Sequence, residues 1–301
     1  MFSRHQEPIA MKGTLRIPAR TERYARIAAM LALLTVAVTG HTVEYRPKAA
    51  ATDSLTALSL GVTALETLYA LDLTAEQLHA LRDLGAETGD QRDRQAGKGP
   101  IALRTALMNL GEAILRGDDD DQIEELQDAL AEQREDDGVD LDDTVELTDR
   151  ARKRAPDVLK LLTASQVAAY ISDCADDISD PLKEMLDALD KLRTADNDDF
   201  VVLRDQVADD VALALAGLDV GKDARISSEI TVWLNKGRSL SASEFKRTRT
   251  DLQQEARTLV GEADPLDIVR HYLLRDMAEL LANPYLPAAI AGRLRVMKGT
   301  E

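Results

Sequence analysis

The sequence predicts an all-α protein, and three observations carry that reading. Apolar residues make up 45% of the 301-residue chain but aromatics only 3%, so Leu, Ala and Val must supply the core. Leu and Ala, with Glu, Lys and Arg, are strong helix formers. Apolar spacing is three to four residues almost throughout, and no alternating strand pattern longer than four residues is bounded by turn residues.

The elements follow in order. Arg16, Arg20, Arg23 and Arg26 precede the apolar run "IAAMLALLTVAV" at residues 27–38. That is the form of an export signal, short of the about 20 residues that span a bilayer. Val38 and Gly40 suit cleavage before His41, Met11 offers an alternative start, and an uncleaved signal-anchor is the alternative reading. Residues 1–40 are therefore expected to be a signal peptide and 41–53 a flexible tether. Leu58, Val62, Leu65, Leu68 and Leu71 fall on one face of a first helix. A second is expected over 75–88, then a Gly-rich polar loop, and a third over 101–116 ending at Gly117. The aspartates of "DDDD" open a fourth, where they oppose the positive end of the helix dipole. A fifth is expected over 144–161, kinked or divided at Pro156, and a sixth over 164–178. Asp180-Pro181 and Asp264-Pro265 each read as a cap followed by proline at the first helical position. Further helices are expected at 181–193, 198–216, 222–235, 242–261, 265–282 and 285–297. The break near Asp180 suggests two regions, 54–180 and 181–301.

Net charge is −17, and residues 117–149 hold sixteen Asp/Glu against the single basic Arg134. Such a surface repels phosphate backbones and anionic headgroups, which argues against nucleic-acid and membrane-surface partners. The lone Cys174 cannot form an internal disulfide and reads as a small buried residue.

"LTAEQ" at 73–77 returns as "LTASQ" at 162–166. With Thr74 as N-cap, Gln77 occupies the third helical position, making a reciprocal capping box, and Leu73 with Leu78 makes a hydrophobic staple. Thr163, Gln166, Leu162 and Val167 repeat the arrangement, and "LSASEF" at 240–245 supplies it in other letters. Two readings fit: a capping device used wherever a helix begins sharply, or a family signature.

The order of elements between the pentamers bears on the second reading. An LTxxQ helix, a polar loop, an apolar helix, "AILRGDDDDQIEELQDALAEQ" and a helix running into "VLKLLTASQ" follow one another. Over about residues 71–177 this resembles the LTxxQ-motif periplasmic proteins of the Spy/CpxP type and their heavy-metal sensor or resistance relatives. The resemblance implies an LTxxQ-type helical hairpin region, here followed by an additional C-terminal helical bundle. It implies a non-enzymatic periplasmic or secreted protein, often dimeric, that senses envelope stress or holds unfolded clients. The alternative is an envelope scaffold that binds one specific partner through its helical surfaces. Leu73, Thr74, Gln77, Leu162, Thr163 and Gln166 are the residues that match the motif.

His79, His271 and Cys174 are too far apart in sequence to form a soft-metal cluster, so neither metal nor cofactor is expected. From Asp118 the EF-hand pattern lacks its Gly and its twelfth-position Glu, favouring a solvated acidic face. "GLDVGK" at 217–222 lacks phosphate-loop spacing and reads as a linker. Trp233 is expected in the core, with a partner-facing aromatic as the alternative.

Overall fold

A computed structural model of the protein describes residues 54–88, 99–139, 145–173, 178 and 180–299. The expected signal, the tether and Cys174 lie outside the described residues. Among those described there are twelve α-helices and no strand. No helix among them is long and apolar enough to cross a membrane.

Helix α1 (Leu55–Ala70) starts at Ser54, whose hydroxyl accepts from the Ala57 amide at 3.1 Å. Val62, Leu65 and Leu68 are buried on it as expected. Thr56, Ser59, Glu66 and Thr67 are buried alongside them, so nearly the whole circumference is covered. The reason is its position between α3 (Ile101–Arg116) and α12 (Leu286–Gly299), which pack on it together. The buried Thr67 hydroxyl is satisfied within the helix, donating to the Thr63 carbonyl at 3.0 Å.

Helix α3 pairs with α4 (Asp120–Asp137) as a hairpin. Gly117 closes α3 in the left-handed region at φ 71°, and the Asp119 carboxylate opens α4 by accepting from Gln122 N at 2.9 Å. Helix α4 buries only Ile123, Gln127 and Leu130. Asp121, Glu125, Asp128, Glu132 and Glu135 face solvent, so the acidic stretch forms a hydrated surface along this helix.

Helix α2 (Ala75–Thr88) packs on α5 (Asp149–Leu161), and both contact α11 (Pro265–Ala282). Helix α5 begins later than expected, because Thr148 caps it by accepting from Ala151 N at 3.1 Å. It is also continuous through Pro156, so of the expected kink or division the division does not occur. Pro156 is exposed while Ala151, Ala155 and Val158 are buried, so the missing hydrogen bond falls on the hydrated side. Helix α6 (Ala164–Asp173) follows directly, held by the buried Tyr170, which donates to Asp276 at 3.1 Å.

A second core gathers α7 (Pro181–Leu192), α8 (Asn197–Ala216), α9 (Val220–Ser239) and α10 (Ala242–Val260). The caps expected here are all present. Asp180 accepts from Leu182 N and Lys183 N at 2.9 and 3.2 Å. Asp264 accepts from Leu266 N at 2.9 Å, and Ser241 with Glu244 forms a full capping box. Trp233 is 3% exposed and donates to the Leu252 carbonyl at 3.2 Å.

The cores divide the chain differently from the sequence boundary at Asp180. Leu273, Met277, Leu281, Leu286 and Ile290 belong to the first core, together with Leu65, Leu68 and Leu110 of the N-terminal helices. The C-terminal helices α11 and α12 thus return to close the N-terminal unit, and α7–α10 form an insert between them. Asn283 fixes the return by donating to the Leu60 carbonyl at 2.9 Å, fully buried. The two cores meet where α8 lies on α11: His271 Nδ1 bonds the Ala214 carbonyl at 2.8 Å beside Gly217.

Candidate functional site

The two pentamers begin α2 and α6, and each forms the local device its letters require. Thr74 Oγ1 accepts from Gln77 N at 3.3 Å while Gln77 Oε1 accepts from Thr74 N at 2.8 Å. Thr163 Oγ1 accepts from Gln166 N at 3.2 Å while Gln166 Oε1 accepts from Thr163 N at 2.9 Å. Leu73 and Leu78 are buried in the first core, and Leu162 and Val167 pack against its edge.

Local capping does not exhaust the amides. Gln77 Nε2 donates to the Leu161 carbonyl at 2.6 Å, two residues before Thr163. Gln166 Nε2 donates to the Asp72 carbonyl at 2.7 Å, two residues before Thr74. Between them the carboxamides pair reciprocally, Nε2 to Oε1, at 2.9 and 3.1 Å. The two motifs therefore clasp one another by the same rule applied in both directions. Each carboxamide has two N–H donors and two acceptor lone pairs, and every one is used. Four bonds join the motifs at about 0.5–1.5 kcal/mol each, near the lower end because the site is only part-buried.

Backbone geometry presents the acceptors. Asp72 has φ 43° and is the one non-glycine in the left-handed region among the described residues. A short polar side chain tolerates that region better than most. The turn at Leu71–Asp72 and the bend at Leu162 thus each aim a carbonyl at the opposite glutamine.

A charged cluster flanks the clasp. The Tyr69 hydroxyl donates to Asp120 at 2.6 Å, tying the end of α1 to the start of α4. Arg293 of α12 sits 5.8 Å from the Tyr69 ring centroid and donates to the Ile114 carbonyl at 3.0 Å. Burial, followed by the hydrogen bond to Asp120, raises the Tyr69 phenol well above its ordinary value. Burial lowers the Arg293 guanidinium from its usual range.

Nothing in the clasp resembles a nucleophile and base. Two neutral amides and two hydroxyls, with all amide valences filled, make a structural coupling between helices. His79 is exposed on α2, and His271 belongs to the seam between the cores. "GLDVGK" is the turn from α8 to α9, where Asp219 caps Lys222 N at 3.0 Å and Lys222 Nζ donates to the Leu215 carbonyl at 2.6 Å. Among the described residues no three His, Cys, Asp or Glu are placed to hold a metal ion.

Sequence reasoning found both boxes and missed their union. The signal was the residue at the third helical position. "LSASEF" uses Glu244 there, whereas both pentamers use glutamine. A carboxylate can serve the cap, but only an amide can serve it and also donate across a turn. No family model, curated protein or solved structure matches the chain.

Proposed function

We propose that the protein is an exported, non-enzymatic helical protein that binds unfolded clients or senses stress in the cell envelope, in the manner of Spy/CpxP-type proteins. The observation that carries this reading is the clasp. Two LTxxQ motifs 89 residues apart meet as one unit through Gln77 and Gln166, as a paired signature should. The N-terminal basic and apolar pattern supports export, and the acidic surface of α4 supports a protein rather than a nucleic-acid partner. The direct test is suppression of aggregation of a chemically unfolded client by the purified chain. Suppression at near-stoichiometric ratio supports holding, and no effect at molar excess removes it.

The second reading, a scaffold for one specific envelope partner, is favoured by the insert α7–α10. That unit has its own core around Met185, Ile230 and Trp233, beyond anything the motif region requires. Affinity capture from envelope extracts separates the two readings. One stoichiometric partner supports the scaffold, and a broad range of unfolded chains supports the holdase.

A further inference from the structure

Helices α9 and α10 touch where Trp233 donates to the Leu252 carbonyl at 3.2 Å. Beside that contact runs an open groove of about 710 Å³, a volume within the range of ligand sites. Its lining comes from one stripe of each helix, residues 228–236 of α9 and 251–259 of α10. Eight residues of helix rise about 12 Å, so the groove follows a little over two turns. Val232 is 65% exposed. It shares the groove with Leu259 and the edge of Trp233.

Carboxylates outnumber cations on the rim. Glu229, Asp251 and Glu255 are the lining carboxylates, and Lys236 is the only lining cation. Lys236 is engaged with Glu255 at 2.6 Å, and Glu229 has Arg225 at 3.7 Å across exposed side chains. Asp251 has no ion pair among the described residues. An apolar seam between two helices with an acidic border is complementary to a third helix whose apolar stripe is flanked by Lys or Arg.

We propose that the α9–α10 groove docks one amphipathic helix of a partner protein, its apolar face on Val232 and Leu259 and its basic flank against Asp251. The proposal rests on the binding-protein reading above and assigns it a surface on the second core, away from the clasp.

Trp233 is the single tryptophan of the chain, so its fluorescence reports on the second core beside this groove. The probe is a synthetic Leu/Lys amphipathic helix without aromatic residues, titrated into the full chain, with calorimetry alongside. A saturable change in Trp233 emission that weakens with added salt is the expected result. Val232→Ser and Asp251→Lys should each weaken binding about tenfold or more, the scale of an interface hot spot. Both positions are exposed, so circular dichroism should match the parent. Glu132→Lys on the exposed face of α4 makes the same charge change elsewhere and should leave the affinity unchanged. Equal weakening by Glu132→Lys, or equal binding of a Leu/Glu helix, overturns the proposal. Absence of peptide binding while client aggregation is still suppressed overturns it and leaves the holdase reading intact. Groove binding without aggregation suppression supports it and removes the holdase.

Discussion

Gln77→Glu separates the two jobs of the pentamer, because glutamate is as good a capping-box residue as glutamine. At neutral pH the new carboxylate can still accept from Thr74 N, and its charge suits the helix N-terminus. It can no longer donate. The Nε2 bond to the Leu161 carbonyl at 2.6 Å and the bond to Gln166 Oε1 at 2.9 Å both disappear. An anionic oxygen is left facing two acceptors. Two lost bonds at about 1 kcal/mol each, with a further penalty for facing acceptors, give a destabilisation of about 2–4 kcal/mol. At about 2–4 °C per kcal/mol for a chain of this size, Tm should fall by roughly 4–16 °C. The pH dependence has a definite sign. The folded state disfavours the charged form, so the new carboxyl has a raised folded pKa, above the ordinary value of about 4.3. The variant should recover towards the parent as pH falls through that raised value, where the protonated acid donates again. Thermal melts followed by circular dichroism at neutral and mildly acidic pH read this directly. Glu244→Gln, at a box with no partner across a turn, is the control and should change stability by under about 1 kcal/mol. A neutral Gln77→Glu would refute the clasp and reduce the pentamer to a cap.

Gly217→Ala tests the seam between the cores. Gly217 has φ 60°, and an added Cβ would lie 2.5 Å from the His271 ring, so about 1–3 kcal/mol should be lost in denaturant titration. Gly138→Ala, at φ 58° with open space around it, should show only the backbone part, about 1–2 kcal/mol. Tyr69 supplies an alkaline prediction. Its raised folded pKa contributes stability that is fully present below the unfolded value of about 10 and is lost as pH rises through the folded value. Tyr69→Phe should flatten that alkaline decline, read by thermal melts across the alkaline range.

Much of the fold was legible because its signals are local. Caps at Asp119, Asp180, Ser241 and Asp264, the C-cap at Gly117 and the boxes at Thr74 and Thr163 each depend on residues within four positions of one another. Helix propensity and spacing therefore determined the all-α class and most helix starts. Whether Pro156 divides α5 depends on which side of the helix faces solvent, a property of packing. The burial of Thr56, Ser59, Glu66 and Thr67 on α1 was not legible for the same reason, since α3 and α12 cover it from several sides at once.

What the sequence by itself determined, then, is that Leu73, Thr74 and Gln77, and again Leu162, Thr163 and Gln166, begin helices. Tertiary structure alone decided that those beginnings face each other, that α11 and α12 return to the first core, and that α9 and α10 leave a groove. The physical reason is range. A cap is closed by atoms three residues apart, whereas the Gln77–Gln166 pair bridges 89 residues and the Asn283–Leu60 bond 223. No local pattern encodes such separations. They follow from burying the apolar faces of all twelve helices together.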